Sequence, residues 1–390
     1  MTKVKRTFKW ITCFMTVLCV FAVSMPCQAK EKSKKERSAA ALQYIKKGID
    51  PYAYIADKLR NYKVVAIGED HWIADHSEFL CDVLRNVGYN YDDRIQFLAL
   101  EFGNEYDQMI ADSLALGKKW HEDFASKILL RAPDMFGNPY QGYRDVLYTV
   151  WETNQRKPDS LKTRIILLDP WDKPGTPESR DENIAKILRS LIRSGGHAIF
   201  YAGQAHTQYQ TRGVETRNRN YYYNFPSGAK YIKMCYPDDI FSINLWGGLM
   251  GSYGYLPNEK TVWTLIDGGV IDDAFAKNGN KPVGFDIDAN FPITPSQYYA
   301  GEGSGNDPWA ATSVNGDPYK ATLKEVDYCD GIIFIKPTKE FTGMQLIDIY
   351  DDVWVATIAD RLDPPPARTK EEIFKKILEW HPTCLPPKTK

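Results

Sequence analysis

Residues 62–71 read YKVVAIGEDH and contain the first strand that the sequence predicts. Its apolar run Val64–Ile67 is short and unbroken, which is typical of a strand buried on both faces of a parallel sheet. Gly68 is expected to let the chain turn sharply where the strand ends. Glu69 and His71 follow at once, so the stretch predicts a strand that delivers a carboxylate and an imidazole at its carboxyl end.

The same arrangement recurs later in the chain. Residues 197–206 read HAIFYAGQAH, a second Gly-x-x-His sequence behind a second apolar run. Two further apolar runs, 97–100 and 165–168, lead directly into Glu101 and Asp169. Ligands of open α/β sheets bind outside the carboxyl ends of the strands. The four segments therefore predict one site at one edge of a sheet.

Helical patterns separate these strands and predict the fold class. Apolar residues recur at helical spacing in 75–87 and 178–194, and Gly195 and Gly196 end the second pattern. Strands alternating with helices predict an α/β fold with a central, mostly parallel sheet flanked by helices. A helical excursion, about 104–162, is expected between the second and third strands as a lid or substrate wall.

Further elements are predicted around this centre. The patterns favour the following helices: 39–47, 51–61, 105–116, 120–129, 141–155 and 371–380. They favour strands at 230–234, 241–245, 262–266 and 331–335, which form an additional mixed C-terminal region. Residues 279–318 are rich in Gly, Pro and Asn and are expected to form a long ordered loop.

The N-terminus predicts export. Basic residues precede an apolar stretch, and Cys27-Gln28-Ala29 forms a small-x-small cleavage site, so 1–29 is interpreted as a signal peptide. A retained membrane anchor is the alternative interpretation. No later apolar run approaches the ~18 residues that span a bilayer. A charged spacer at 30–37, a single α/β catalytic-type domain at 38–360 and a Pro-rich connector with a short helix at 361–390 complete the predicted organisation.

Composition narrows the classes of partner. The net charge of −1 gives no electrostatic basis for nucleic-acid binding. Cleavage of the signal would leave four cysteines, whose disulfide pairing the sequence does not rank: Cys81, Cys235, Cys329 and Cys384. Their spacing argues against a thiolate zinc site. Aromatic residues are abundant in loop-like stretches, either as ordinary packing or as the wall of a ligand groove.

The strand-end residues suit two kinds of chemistry. His71, Glu101 and His206 offer the ligands that zinc, manganese or cobalt accept, and a bound water would then become a nucleophile. Glu69 could accept its proton, with Asp169 or Asp172 orienting a ligand. Without a metal, Glu69 and His71 could act on water as a general-base pair.

Other residues near these motifs carry alternative interpretations. Asp70, Trp72, His76 and Tyr209 are candidates for contact with the substrate or for supporting the site. Asp169 and Asp172 read equally well as turn residues around Pro170. The remaining histidines are expected to be structural, at the surface or in packing: His121, His197 and His381.

At these residues the chain resembles a superfamily that groups the erythromycin esterases, the ChaN-like haem-binding lipoproteins and the TraB/Tiki proteins. The resemblance rests on Gly68–His71, Glu101 and Gly203–His206, and it covers about 62–206. It implies that Glu69, His71, Glu101 and His206 are the functional positions. Only Asp70 separates Glu69 from His71, which is closer to the ChaN-like and Tiki branches than to the esterases.

These observations predict an exported hydrolase that activates water on an ester or amide of a small molecule or peptide, with or without a divalent metal. The alternative is a ChaN-like protein that binds haem or another iron ligand. A haem iron would need an axial His or Tyr, for which Tyr201, Tyr209 and 221–223 are candidates. A third hypothesis is an interaction module with a decayed site, in which the four functional positions would not converge.

Overall fold

A sheet of seven strands organises the described part of the chain. The computed structural model describes residues 32–132, 136–170, 177–209, 211–215, 222–247, 249–250, 263–265, 269–292, 329–361, 368–381 and 383–388. The strands are β1 (Val64–Glu69), β2 (Phe97–Asn104), β3 (Arg164–Asp169), β4 (Ala198–Gly203), β5 (Thr211–Glu215), β6 (Tyr222–Pro226), β7 (Ile240–Leu245), β8 (Leu249–Met250), β9 (Trp263–Thr264), β10 (Val283–Asp286) and β11 (Gly331–Phe334).

The order of strands in the sheet is β10-β11-β7-β1-β4-β2-β3. All neighbouring strands are parallel except β10 and β11, which pair antiparallel. Two small antiparallel hairpins, β5 with β6 and β8 with β9, lie outside this sheet. The predicted α/β fold with a mostly parallel central sheet and a mixed C-terminal region is confirmed.

Helices flank the sheet. They are α1 (Lys34–Ile45), α2 (Pro51–Asn61), α3 (Ala74–Asn86), α4 (Gln108–Leu116), α5 (Glu122–Leu130), α6 (Gln141–Asn154), α7 (Pro177–Arg193), α8 (Gln204–Thr207), α9 (Gly228–Cys235), α10 (Val270–Lys277), α11 (Asp352–Arg361) and α12 (Lys370–Trp380). The predicted excursion between β2 and β3 consists of α4, α5 and α6. None of the helices in the described ranges combines the length and apolarity needed to cross a membrane.

Alternating side chains of the strands enter two different cores. In β1, Val65 and Ile67 pack into the cluster that includes α3 and α6, whereas Val64 and Ala66 pack into the cluster that includes α7 and α9. Every residue of β1 is therefore buried. Burial on both faces explains why the strand is an unbroken apolar run rather than an alternating one.

Chain connectivity places a crevice at the carboxyl ends of β1 and β4. These two strands are neighbours, but the chain leaves them toward opposite faces of the sheet. The helix after β1, α3, packs in one core, and the helix between β4 and β7, α9, packs in the other. Such a reversal leaves a gap between the outgoing loops, which is where open α/β sheets bind ligands. Residues 70–73 and α8 leave the sheet at this gap.

Local capping explains where some helices begin. Asp50 accepts hydrogen bonds from the backbone N–H groups of Tyr52 and Ala53, and Pro51 occupies the first turn, so α2 begins where the sequence predicts it. Thr369 and Glu372 form a reciprocal capping box at the start of α12. These contacts satisfy backbone donors that a helix start leaves unpaired.

Two predicted elements after the second motif were wrong. Residues 230–234, predicted as a strand, lie in α9, because the Ser227 side chain caps this helix by accepting from Lys230 N–H and Ile232 is buried on its inner face. The predicted loop at 279–318 contains β10, whose pairing with β11 comes from distant sequence. The remainder of that loop from residue 293 lies outside the described residues.

The last helix belongs to the main core. Residues Arg37–Lys390 form one compact unit, and Ile373 and Ile377 of α12 are buried in the largest apolar cluster. Helix α1 begins at Lys34, within the stretch predicted as a charged spacer. The predicted signal peptide lies outside the described residues. The four cysteines beyond it are free thiols.

Candidate functional site

Glu69 anchors one half of the site. It is the last residue of β1 and only 2% exposed. Its Oε1 accepts hydrogen bonds from the Tyr143 hydroxyl at 2.5 Å and from His71 Nδ1 at 2.9 Å, and its Oε2 accepts from the Tyr201 hydroxyl. Three donors on one buried carboxylate fix its position and compensate for its burial.

His71 presents one ring nitrogen to its surroundings. Nδ1 faces the Glu69 carboxylate and therefore carries a hydrogen, which leaves Nε2 as the acceptor in the neutral ring. Nε2 has no hydrogen-bond partner among the described residues, and the side chain is 31% exposed. His71 is thus held by one nitrogen and open at the other.

Carboxylates around His71 favour its protonated form. Burial opposes protonation, but the hydrogen bond that His71 donates to Glu69 and the negative charges of Glu101 and Glu69 outweigh it, and the pKa of His71 is raised to about 9. The positive charge of Arg180 acts in the opposite direction. An imidazolium formed at this position is therefore stabilised by its neighbours.

Glu101 anchors the other half of the site. Its Oε2 accepts a hydrogen bond from the Gly203 backbone N–H at 2.6 Å. Its Oε1 lies 3.1 Å from His206 Nε2 and 3.0 Å from an Arg180 guanidinium nitrogen. Burial raises the pKa of Glu101, but the His206 and Arg180 charges outweigh it and hold this pKa well below its usual range.

His206 lies between two carboxylates. Its Nδ1 is 2.8 Å from Asp181 Oδ1, and its Nε2 meets Glu101, so both ring nitrogens face acceptors. This geometry suits the imidazolium form, in which both nitrogens donate. Asp181 Oδ1 also accepts the backbone N–H of Gly228 at 2.7 Å. His206 is 4% exposed and therefore differs from His71, whose side chain is 31% exposed.

Arg180 links Glu101 to Asp169. Its guanidinium group bonds both oxygens of the Asp169 carboxylate, at 3.0 Å for one of them, besides its contact with Glu101. Burial raises the pKa of Asp169 to about 6, although the Arg180 charge opposes the shift. Arg180 and Asp181 lie near the start of α7, so one end of this helix supplies partners to both Glu101 and His206.

Gly203 joins the two halves. A Cβ atom at this position would lie 2.6 Å from His71 Nε2 and 3.4 Å from Glu101 Oε2. The glycine is needed for this close approach and not for a turn, because its φ of −54° is open to any residue. Gly203 therefore does not need the backbone angles expected of it, and Gly68 is paired inside β1 and not placed at a turn, so the expectation was wrong for both. The four predicted positions Glu69, His71, Glu101 and His206 do converge.

Asp70 and His76 lie on the other side of β1. The Asp70 backbone N–H donates to His76 Nδ1 at 3.0 Å, and the Asp70 carboxyl group packs against the backbone of Gly247. Asp70 Oδ2 is buried without a hydrogen-bond partner in the described part of the chain. Burial raises the pKa of Asp70 to about 8, opposed by the positive charge of His71. His76 is fully buried.

The remaining predicted residues have different placements. Trp72 follows His71 with a φ of 67° and is 9% exposed. Tyr209 is not part of the site, because its hydroxyl donates to Asp330 and to the carbonyl of Ile240, at the amino end of β7. Asp172 lies outside the described residues.

Three residues of the site were missed from the sequence. Tyr143 comes from α6 in the predicted excursion, and Arg180 and Asp181 come from the start of α7. A charged pair at the start of a helix that follows a strand is a usable signal, because that end of the helix lies at the carboxyl edge of the sheet. Nothing local marks Tyr143, whose contact with Glu69 spans 74 residues.

The predicted metal ligands do not fit a shared metal in this arrangement. His206 uses both ring nitrogens on carboxylates, and both oxygens of Glu101 accept hydrogen bonds or ion pairs from protein groups. No group of three or more His, Cys, Asp or Glu side chains in the described ranges is placed to hold a metal ion. We therefore derive no chemical step through a metal.

Comparison with known proteins gives only distant likenesses. No protein-family model matches the chain, and no curated protein matches its sequence. The structures that resemble it include a Bacillus cereus protein, at 10% identity and a TM-score of 0.45, over 78% of this chain and 97% of that one. The type III effector HopBA1 has 13% identity and a TM-score of 0.32, over 54% and 89% of the two chains.

The haem-binding protein ChaN of Campylobacter jejuni is also among these structures. It has 13% identity and a TM-score of 0.26, over 50% of this chain and 86% of that one. ChaN belongs to the superfamily that the motifs resemble, but membership of this chain is not supported by any family model or curated sequence. The site is therefore interpreted from its own geometry.

Proposed function

We propose that the protein is a hydrolase in which His71 moves the proton of an attacking water molecule. The observation that carries the proposal is the asymmetry of the His71 ring. Nδ1 is tied to a buried carboxylate at 2.9 Å, whereas Nε2 has no partner among the described residues. A general base needs this combination of a fixed orientation and one available lone pair.

The proposed reaction uses the two nitrogens in different ways. Nε2 of the neutral ring accepts a proton from water as the water oxygen attacks the carbonyl carbon of an ester or amide. Glu69 stabilises the imidazolium that forms through its hydrogen bond to Nδ1. The carbon–oxygen or carbon–nitrogen bond of the substrate then breaks, and Nε2 returns the proton to the leaving group.

The Glu101 half supports this chemistry by fixing charge. Arg180 and His206 surround Glu101, and Arg180 opposes protonation of His71. Glu101 in turn accepts the N–H of Gly203, the residue against which the His71 ring packs. We propose that Glu101 fixes the Gly203 backbone beside Nε2, whereas Glu69 orients the His71 ring through Nδ1.

Haem or iron-ligand binding is the alternative, because the same free Nε2 could serve as an axial ligand. Tyr201 and Tyr209 fit that role poorly. Both are buried, and their hydroxyl groups are engaged by Glu69 and Asp330. Burial, with the neighbouring carboxylate second, raises the pKa of each well above its usual range, which disfavours the phenolate that binds iron.

The decisive experiment is a hydrolysis screen with matched variants. Signal-free protein is assayed on chromogenic esters and peptide amides as wild type, His71→Ala and His121→Ala. His121 is an exposed histidine outside the site and serves as the control. We expect His71→Ala to lower kcat/KM roughly 100-fold or more and His121→Ala to leave it unchanged. Turnover by His71→Ala at the wild-type rate would reject the role of His71.

A haemin titration of the same three proteins distinguishes haem binding from the proposed hydrolase activity. Hydrolysis without a Soret band supports the hydrolase, whereas a stoichiometric Soret band that His71→Ala abolishes, with no hydrolysis of any ester or amide, supports the iron ligand. We also propose that the protein acts outside the cytoplasm, on the strength of the N-terminal sequence pattern alone. Secretion of a tagged full-length chain, compared with one lacking residues 1–29, tests that proposal.

A further inference from the structure

A segment near the C-terminus reaches the residues that follow His71. The backbone N–H of Met344 donates to the carbonyl of Trp72 at 2.8 Å, and the N–H of Ala74 donates to the carbonyl of Thr342 at 2.9 Å. Ile73 and Gly343 form a bridge between these bonds. Residues 342–344 therefore hold the backbone on both sides of Ile73, directly after Trp72.

The chain after α12 is bound to this same segment. Leu385 donates its N–H to the carbonyl of Met344, and Leu346 donates to the carbonyl of Leu385, each at 2.9 Å. Gly343 permits the contact, because a Cβ atom there would overlap the carbonyl oxygen of Thr383. Residues 383–385 are thus connected to Trp72 through one intervening strand-like segment.

His381 makes a direct contact with Trp72. It caps the carboxyl end of α12, and its ring stacks on the indole with centroids 3.8 Å apart and an interplanar angle of 20°. The indole also meets the His71 ring edge-on, at 5.4 Å and 63°. The Trp72 side chain therefore contacts both histidines, one of which carries the free nitrogen of the site.

Trp72 has a backbone conformation that needs such support. Its φ of 67° lies in the left-handed region, which is uncommon for any residue except glycine and rare for a bulky one. Strained conformations of this kind persist when surrounding contacts hold them, and they cluster at functional sites. The contacts here are the Tyr140 hydroxyl on the indole N–H at 3.0 Å, the Met344 N–H and the His381 ring.

His381 contributes a flat neutral ring at this position. Burial, and after it the positive charge of His71, lowers the pKa of His381 to about 3. Its Nδ1 is buried and has no hydrogen-bond partner in the described ranges. A buried nitrogen without a partner is a cost, so the ring plane and not its polarity is the useful feature.

We propose that His381 is a positioning residue for His71 and acts through Trp72. Its ring holds the indole, the indole holds the left-handed backbone at residue 72, and this backbone sets the direction of His71 toward Glu69. The geometric claim stands apart from the proposed function. Only its consequence for turnover rests on the hydrolase proposal.

The test reads the His71–Glu69 hydrogen bond directly. Protein labelled with ¹⁵N-histidine is examined by NMR for the downfield Nδ1 proton that His71 shares with Glu69, assigned by its loss in His71→Ala. The variants are His381→Ala, His381→Phe and His121→Ala. His121 is the matched control, because its ring also stacks on an aromatic side chain, that of Phe124, at 5.0 Å and 28°.

We expect the proton to persist in wild type, His381→Phe and His121→Ala, and to disappear in a folded His381→Ala protein. Phenylalanine keeps the flat ring and lacks the nitrogen atoms. If the histidine nitrogens were the important feature, His381→Phe would lose the proton signal as well. An unchanged proton in His381→Ala, or its loss in His381→Phe, would overturn the proposal. If His381→Ala does not fold, retention in His381→Phe with loss in His381→Leu supports the proposal, and any other pattern overturns it.

Turnover gives a second readout once a substrate is known. We expect His381→Ala to lower kcat about 10-fold or more with little change in KM, because a displaced base affects the chemical step more than substrate binding. His381→Phe should remain within a few-fold of wild type. Failure of every substrate would count against the proposed function, whereas the NMR result tests the positioning role independently.

Discussion

The Glu69 carboxylate accepts three hydrogen bonds, and among the three donors only His71 changes its protonation state within the accessible pH range. Tyr143 and Tyr201 are buried, and burial, with the charge of Glu69 second, raises the pKa of both hydroxyls well above the usual value. They remain donors across the accessible pH range. His71 is the third donor, with a pKa raised to about 9, so the charge of Glu69 acts on a ring that can change its protonation state.

The rate should depend on pH through His71. Its pKa is raised to about 9, and only the neutral ring can accept a proton from water. We expect kcat/KM to increase with pH and to reach a plateau above about pH 9. The measurement is a pH–rate profile of wild type on the best ester or amide of the screen. A profile that falls between pH 7 and 9 would indicate that His71 acts as an acid instead.

The free energy of unfolding should also depend on the protonation of His71, but it should decrease with rising pH where the rate increases. A raised pKa in the folded state means that His71 stabilises the fold fully below its unfolded value of about 6.5, and that this contribution is lost as pH rises through about 9. We expect the difference in the free energy of unfolding between wild type and Glu69→Gln to narrow over this window. Urea unfolding at pH 6 and pH 10 measures it.

Glu122→Gln is the control for that experiment. Glu122 is half-exposed and pairs with Arg144, and the contact with that guanidinium lowers the pKa of the carboxyl group. Its contribution should not change between pH 6 and pH 10, because neither partner titrates there. If the difference in the free energy of unfolding between wild type and Glu69→Gln is the same at pH 6 and pH 10, as expected for Glu122→Gln, then Glu69 does not stabilise the charged form of His71.

At the scale of elements, the end of β4 is as important as the end of β1. Gly203 closes β4, donates its N–H to Glu101 and lies against the His71 ring. A substitution here acts on the site through shape alone. Gly103, near the end of β2, packs against the apolar side chain of Leu167 and offers a comparison at a similar backbone position.

We expect Gly203→Ala to lower kcat/KM at least 10-fold, because its Cβ would meet His71 Nε2 at 2.6 Å and displace the ring. Gly103→Ala is the matched control. Its Cβ would meet Leu167 Cδ2, also at 2.6 Å, at the end of β2 and away from the free nitrogen. Steady-state kinetics and thermal unfolding of both variants separate the two effects. Equal losses of activity would contradict a specific role for Gly203.

Helix α12 is part of the core and carries His381 at its end. Ile377 is 1% exposed in the largest apolar cluster. We expect Ile377→Ala to reduce the free energy of unfolding by about 2–5 kcal/mol, as for other buried aliphatic truncations. Lys375→Ala, on the exposed face of the same helix, should change it by less than about 0.5 kcal/mol. Denaturant unfolding measures both, and similar values would indicate a detached helix.

At the scale of the whole molecule, the sequence predicts the sheet well and its surroundings less well. The strands β1, β2, β3 and β4 are short apolar runs that end in polar residues or are followed by them, and this pattern is local. The strand predicted at 230–234 was wrong because α9 has a local cap from Ser227 and also a contact with a distant part of the chain. The Gly228 N–H at its start binds Asp181, which is 47 residues away.

The same distinction applies to the site. Glu69, His71, Glu101 and His206 could be predicted to meet because each lies where the regular pairing of a parallel strand ends or just after it, and topology then brings them to one edge. Glu101 follows the regularly paired part of β2, although β2 itself continues to Asn104. Their partners could not be predicted. Tyr143 reaches Glu69 from a helix in the excursion, and Arg180 reaches Glu101 from a helix start, through side-chain contacts that no sequence spacing specifies.

In this arrangement His71 keeps a hydrogen on Nδ1, held by Glu69, and presents a bare Nε2. A ¹⁵N NMR titration of the His71 ring in the substrate-free wild type reads both features at once. We predict a pKa near 9 and, above it, the neutral tautomer with hydrogen on Nδ1. A pKa near the ordinary value of about 6.5, or a neutral tautomer with hydrogen on Nε2, would contradict the account.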